Sequence, residues 1–482
     1  MTAPHSSGLV ALEAQVRRDL ERIAHPRAKW LEPIPGPDGQ PVLDVLIVGA
    51  GQSGLATGFG LLRARVDNIL VLDRAAEGQE GPWLSYARMH TLRSPKDFTG
   101  PDLDVPSLTY QSWHEARFGQ ASWDVLELIA REHWADYLLW VRRVTGVPVR
   151  NGCTLIGIAP VPGSEPRLLA ATLRFEDGGT EIRYARKIVL ATGQDGAGVW
   201  WMPDFVAALP NRLRAHAADP IDFGALRGKT VAVLGAGASA FDNAATALEH
   251  GARVHLFCRR ATPQVIQPYR WLTFAGFLRH FVELDDAWRW RFMAKVLGMR
   301  EGFPQPTYDR CVAWPDFHLR GGSPWLGARE SGDGVAIDTP SGPFQADFII
   351  CGTGIEMDFA GKPELAAFAG NIATWADRFQ PPEAERDDRL ARFPYLGADF
   401  AFQEKRPGET PWIGNIHLFA IASTMSHGPS GSSINAMTIA VPRLVHGLTR
   451  GLFTADLARH WSDLEAYDVP QAVLRPDGFG LA

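Results

Sequence analysis

VLIVGAGQSG, Val45 to Gly54, and VAVLGAGASA, Val231 to Ala240, are near-copies of one another within a single chain, and their reading decides the fold. Around the first lie an apolar strand pattern, LDVLIVG from Leu43, a helical pattern, GLATGFGLLRAR, and a second strand pattern, NILVLDR. The second copy repeats the order with KTVAVLG from Lys229, ASAFDNAATALEH and ARVHLFCRR. Strand, glycine turn, helix and strand make a βαβ unit. In such a turn the first glycine permits the tight backbone, the second lets a pyrophosphate approach, and the third allows the helix to pack closely. Gly49, Gly51 and Gly54 fill these places in the first unit. Gly235 and Gly237 fill two in the second, with Ala240 in the third, which tolerates a small side chain. Gln52 and Ser53, and likewise Ala238 and Ser239, start the helices whose free N–H groups and positive dipole end suit an anion. A lone glycine motif says little, but two in the same strand–turn–helix setting say nucleotide binding twice over.

The residues closing each unit tell the two nucleotides apart. Asp73, followed by Arg74, and Arg259, followed by Arg260, stand at equal distances after the two turns, about 20 residues on, where a ribose partner is expected. A carboxylate accepts from ribose hydroxyls and repels a 2′-phosphate, whereas an arginine pairs with that phosphate. A charge-assisted bond contributes roughly 1.5 to 3 kcal/mol, so the second unit should favour NADPH over NADH by about tenfold to a hundredfold. The first turn suits FAD or NAD. Two nicotinamides have nothing to exchange, so the first unit is read as the FAD site and the second as the NADPH site.

The fold class is therefore α/β, with two Rossmann-like domains, the NADPH domain inserted in the FAD domain. A helical arm and the breaker-rich PIPGPDGQP occupy residues 1–40. The FAD domain is expected over 41–204 and again over 341–482 with C-terminal helices, and the NADPH domain over 205–340. The strand patterns RKIVLATG and ADFIICGTG are read as bracketing the insertion. With 482 residues, 46% hydrophobic and 21% charged, the chain can bury several cores. A net charge of −6 offers no footprint for nucleic acid. No apolar run is long enough for a membrane helix, and the start lacks a signal peptide, so a cytoplasmic location follows by default. Cys153, Cys258, Cys311 and Cys351 form no C-x-x-C and are read as buried free thiols.

The succession GAGQSG, GPW, LATG, GAGASA and CGTG resembles the class B flavoprotein monooxygenases, which include flavin-containing, Baeyer–Villiger and N-hydroxylating enzymes. The resemblance runs from about residue 43 to 445 and implies FAD and NADPH as cofactors, with a small molecule and dioxygen as reaction partners. Trp83 of GPW, Thr192 and Gly193 of the A-T-G crossover, Gly354 of CGTG, and Leu155 near the adenine fall on positions similar to cofactor-contacting ones. TLRSPKDFTG from Thr91 resembles the T-L-R-x-P run of ornithine and lysine N-hydroxylases, and MSHGPSGSSIN from Met425 their T-H-G-L-S-D stretch. That implies Gly428, Gly431 and Ser432 against the flavin. Two departures matter. FVAALPNRLRAHAADPIDF keeps His216 of the Baeyer–Villiger fingerprint without its glycine and tryptophan, and Ala87, beside Arg88, stands where ornithine hydroxylases place a lysine for the substrate carboxylate.

The resemblance implies that NADPH reduces the flavin, that dioxygen forms a C4a-(hydro)peroxyflavin, and that a small polar nitrogenous metabolite is hydroxylated, by N-hydroxylation or by urate-type C-hydroxylation. His427 is the candidate proton donor, the other reading being a hydrogen-bonded core histidine. Arg93 is a candidate for the flavin phosphates, and Arg88 and Lys96 for an anionic substrate, against solvated loop charges. The aromatic stretches YRWLTFAGFLRHF and LDDAWRWRF are read as core helices, with a roof over the pocket or a subunit contact as alternatives. A reductase passing electrons from FAD to a protein or quinone acceptor is the rival, then a redox sensor; Baeyer–Villiger or sulfur oxygenation ranks lower. Homo-oligomerisation stays open.

Overall fold

The computed structural model describes residues 4–37, 39–164, 167–431 and 433–473. Two sheets carry the molecule. The first is ordered β3–β2–β1–β6–β5–β4, from Val149–Arg150, Ile69–Leu72, Leu43–Val48, Thr180–Leu190, Leu169–Phe175 and Cys153–Pro160, with β17, Ile416–Leu418, also paired to β6. Its β3–β2–β1–β6 half is parallel, and β6–β5–β4 is an antiparallel meander. The second, all parallel, is ordered β11–β10–β9–β15–β8, from Phe317–Arg320, Arg253–Phe257, Thr230–Leu234, Phe348–Cys351 and Arg214–His216. The central strands are buried on both faces, which is why LIV and VAV read as continuous apolar runs.

Each sheet is covered on both sides. Val45, Ile47 and Val71 face a core with Leu55, Phe59, Trp113, Trp134 and Tyr137, and Leu46, Leu72, Ile188 and Leu190 face a second core with Leu418 and Phe402. In the other lobe Val231 and Val233 pack on Phe241 and Ala244, while Ala232 and Phe257 lie on the opposite side with Val335 and Ile337. Val335 and Ile337 belong to a small antiparallel sheet of β12, Gly327–Ser331, β13, Gly334–Thr339, and β14, Gly342–Ala346. The N-terminal helix Pro4–Arg22 is docked, burying Val16 and lying so close to the helix Tyr110–Phe118 that a side chain at Gly8 would strike the Ala116 carbonyl.

One boundary differs from the sequence expectation. ADFIICGTG does not begin the return to the first sheet: β15 lies between β9 and β8, so the second lobe runs past residue 340 to Cys351. RKIVLATG and ADFIICGTG are thus equivalent crossing strands, one beside β1 and one beside β9. A strand buried on both faces fits either sheet, and its pattern carries no address. The chain crosses between lobes through β7, Gly198–Trp200, and β16, Ile355–Met357, which pair antiparallel as a two-stranded hinge.

Candidate functional site

The two glycine turns have matching geometry. Gly49 and Gly235 sit at φ +102° and +115°, a region that favours glycine, and a side chain on either would strike the carbonyl of the crossing strand, Ala191 or Gly352. At Gly51 and Gly237 an added Cβ would meet nothing nearer than 3.8 Å, Gly81 Cα in one case and the Glu301 carbonyl in the other. The protein itself does not demand glycine there, and the bare backbone is open to a group approaching from outside. Gly54 has no room, because its Cβ would collide with the Gly49 carbonyl. In the second turn Ala240 carries a methyl, and Gly352 opposite it is bare: a Cβ there would lie 2.6 Å from that methyl. Gly193 and Gly354 close the two crossing strands at φ +75° and +81°. Gly352, absent from the sequence reading, could have been found by aligning CGTG on LATG.

Gln52 and Ser53 start the buried helix Gln52–Arg63, and Ala238 and Ser239 start Ala238–Glu249. Gln52 accepts from the Trp134 indole at 3.3 Å, and the Ser53 hydroxyl donates to the Gly431 carbonyl. That bond brings the C-terminal loop onto the first turn. Gly428, at φ +70°, is roofed by Phe277 and Phe281, at 3.3 and 3.2 Å from where a Cβ would stand. Gly431 has Phe419 and Ala420 backbone against it, and Ser432 lies outside the described residues. The aromatic helices that provide the roof also bury Trp290 and Met293 against Trp375 and Met425, while Trp271 and Trp288 remain exposed.

The two strand-closing residues behave differently. Asp73 is buried and already accepts from the Ala50 N–H at 2.7 Å and the Ala75 N–H at 2.8 Å, bracing the turn. Arg74 beside it is exposed. Arg259 is exposed and, among the described residues, has neither hydrogen bond nor ion pair. Arg260 donates to the Met299 and Gly298 carbonyls at 3.1 and 3.2 Å, at the end of the helix Asp286–Met299. That helix end presents Arg300, at φ +66°, whose pKa falls to about 10 through desolvation and the neighbouring guanidiniums of Arg389 and Arg259. Arg389 is paired with Asp387 at 2.9 Å, whose charge partly offsets the group, while Arg259 and Arg300 have no ion pair among the described residues. Arg300 was not legible in the sequence, being distant from Arg259 along the chain.

Other expected residues turn out to be engaged elsewhere. His427 is 2% exposed, stacks on Phe400 at 3.7 Å and bonds the Gly397 carbonyl through Nε2 at 2.9 Å. Burial drives its pKa down to about 3, which favours the neutral ring. Arg93 Nη2 pairs with Asp242 of the second lobe at 2.9 Å. Arg88 donates to the Asp219 carbonyl at 3.1 Å and lies over Phe223, also in the second lobe. Lys96 donates to the Trp123 carbonyl at 2.7 Å and covers its ring, satisfying the end of the helix Gln120–Val125. Leu155 is a core residue of β4. Thr192 Oγ1 donates to the Gly196 carbonyl at 3.3 Å, holding the crossover turn. Trp83 is buried with an unpartnered indole Nε1, beside Gly81, which lies over Gly51. This orphan donor, the open faces of Gly51 and Gly237 and the unpaired Arg259 fit two dinucleotides.

Comparison with known proteins agrees. Residues 46–195 match a family model described as FAD-NAD(P)-binding. Across 452 residues, covering 93% of this chain and 94% of the relative, the chain is 42% identical to an FAD-dependent urate hydroxylase of Xanthomonas campestris pv. campestris. The chain belongs to that family of FAD-dependent hydroxylases. It is a flavin-dependent monooxygenase that uses FAD and NADPH. The fold matches ornithine hydroxylase of Pseudomonas aeruginosa, TM-score 0.66 at 17% identity over 85% of this chain and 100% of that one. It also matches the ornithine N-hydroxylase of Kutzneria sp. 744, solved with reduced FAD, NADP⁺ and L-ornithine, TM-score 0.64 at 16% identity over 85% and 100%. Among the described residues no helix is long and apolar enough to cross a membrane, and the four cysteines are buried and unpaired.

Proposed function

We propose that this hydroxylase acts on urate, adding one oxygen atom to a ring carbon at the expense of NADPH and dioxygen. The 42% identity to a urate hydroxylase over 93% of the chain carries this reading. When bound, FAD supplies the activation of dioxygen and NADPH the hydride. The chain's own residues bind and exclude. The first turn, from Gly49 to Gly54, holds one pyrophosphate with the Trp83 indole as a further donor, and Asp73 braces the turn while keeping lone pairs for a ribose. The second turn holds the other pyrophosphate, with Arg259 and Arg300 on the 2′-phosphate. Phe277 and Phe281 keep water from the loop at Gly428, where a flat aromatic substrate finds flat apolar walls. An aliphatic amino acid is less well served, since Arg88 and Lys96 are both engaged by the protein. The reading keeps the enzyme in the cytoplasm, in line with four reduced thiols, with a small molecule and dioxygen as partners.

The test is NADPH oxidation by the purified yellow protein with urate, ornithine or lysine. Urate is expected to stimulate it while its own ultraviolet band disappears and little peroxide is released. Stimulation by ornithine or lysine with none by urate would replace urate as the substrate.

A further inference from the structure

Besides the hinge and the aromatic core in which Trp290 and Met293 pack on Trp375 and Met425, the two lobes meet along one segment of the first lobe, residues 86 to 93. Tyr86 meets Trp200 of the hinge strand edge-on at 5.7 Å, Arg88 reaches the Asp219 carbonyl, and the Arg88 carbonyl accepts from Arg310 at 3.1 Å. The segment ends in an ion pair, Arg93 Nη2 to Asp242 Oδ2, 2.9 Å. Asp242 is 4% exposed and lies on the helix Ala238–Glu249, which starts at the second glycine turn. Its other oxygen accepts from the Thr307 hydroxyl at 2.9 Å, with Arg310 at 3.5 Å. Gly81 and Trp83, just before the segment, lie over the first turn. The ion pair therefore ties the surroundings of one turn to the helix of the other. The covalent crossings supply the β7–β16 ribbon and the aromatic core a further contact, and neither includes the helix Ala238–Glu249 that starts at the second turn.

We propose that Arg93 and Asp242 are a positioning pair that fixes the NADPH lobe at the separation hydride transfer to the flavin needs. The inference rests on the assignment of FAD to the first turn and NADPH to the second. A misplacement of about 1 Å at reacting atoms can cost about a hundredfold in rate, so a loosened lobe slows the limiting reduction step without weakening either nucleotide. The pair is suited to this role because removing Arg93 leaves Asp242 with Thr307 and Arg310. The second lobe keeps its internal structure while losing this one contact with the first.

The experiment is anaerobic rapid mixing of the FAD-loaded protein with NADPH, following flavin bleaching in Arg93→Gln and Arg93→Lys. Arg93→Gln should lower the limiting rate by about ten- to a hundredfold, with FAD content and the half-saturating NADPH concentration unchanged, and Arg93→Lys should restore part of the loss. A parent-like limiting rate in Arg93→Gln overturns the proposal. So does loss of FAD, or a raised half-saturating concentration at an unchanged limiting rate, either of which makes Arg93 a ligand-binding residue. In parallel, hydrogen exchange on the nucleotide-free chain should show amides of residues 86–93 exchanging faster in Asp242→Asn, and unchanged exchange overturns the latch. Failure of NADPH to bleach the parent flavin defeats the nucleotide assignment instead, and the exchange result still decides whether the lobes are held there.

Discussion

The two glycine turns share a backbone and differ in what finishes them. In the first, the third position is Gly54, packed against the Gly49 carbonyl, and the closing residue Asp73 is built into the turn through Ala50 and Ala75. In the second, Ala240 takes the third position against a bare Gly352, and the closing Arg259 has no partner among the described residues. Equal spacing in the sequence thus conceals unequal settings: one closing residue is built into the turn, the other is left open to solvent. A motif places a residue, and only its partners show whether it is free to act.

The largest expected effect separates the third positions. Gly54→Ala should give a protein that expresses poorly or emerges colourless, losing more than about 3 kcal/mol, since a Cβ meets unyielding backbone. Ala240→Gly should cost no more than about 1 kcal/mol; melting temperature and the ratio of visible to ultraviolet absorbance report both. Next come the closing residues. Arg259→Ala should raise the KM for NADPH by about tenfold to a hundredfold, for a charge-assisted bond of roughly 1.5 to 3 kcal/mol, and leave both the KM for NADH and the melting temperature alone. Asp73→Ala should do the reverse, losing about 1 to 3 kcal/mol of stability because two N–H groups are left unpaired, with the preference between NADPH and NADH unaltered. Equal effects of the two changes on melting would erase the distinction.

The last comparison concerns pH. His427 has a folded pKa of about 3, below its unfolded value near 6.5. Between these values the unfolded chain binds the extra proton, so stability is full above about pH 6.5 and declines as pH falls toward 3. The loss should approach about 1.4 kcal/mol per pH unit. His427→Asn should flatten that slope in urea titrations at pH 5 and 7, and its rate profile between pH 6 and 8 should keep the parent's shape. A new inflection in the rate would return His427 to the chemistry.

Both turns, their helices and the division between a carboxylate and an arginine were legible, because each depends on residues within one βαβ unit. The roles of Arg93, Arg88 and His427 were not. Arg93 finds Asp242 149 positions away and Arg88 finds Asp219 131 away, and nothing near T-L-R or S-H-G announces those partners. His427 read as a candidate acid because sequence shows a residue's chemistry and not its solvent: burial against Phe400 keeps it neutral. The sheet owning ADFIICGTG was equally hidden, since an all-apolar strand fits either lobe.

By itself the sequence determined that two nucleotide turns exist and which charge closes each, because glycine spacing and strand periodicity are local and act through adjacent backbone. Tertiary structure alone decided which charges remain free for ligands and which bind the lobes together. A guanidinium or carboxylate commits to whatever counter-charge the fold brings within about 3 Å, and that neighbour is set by packing between distant segments.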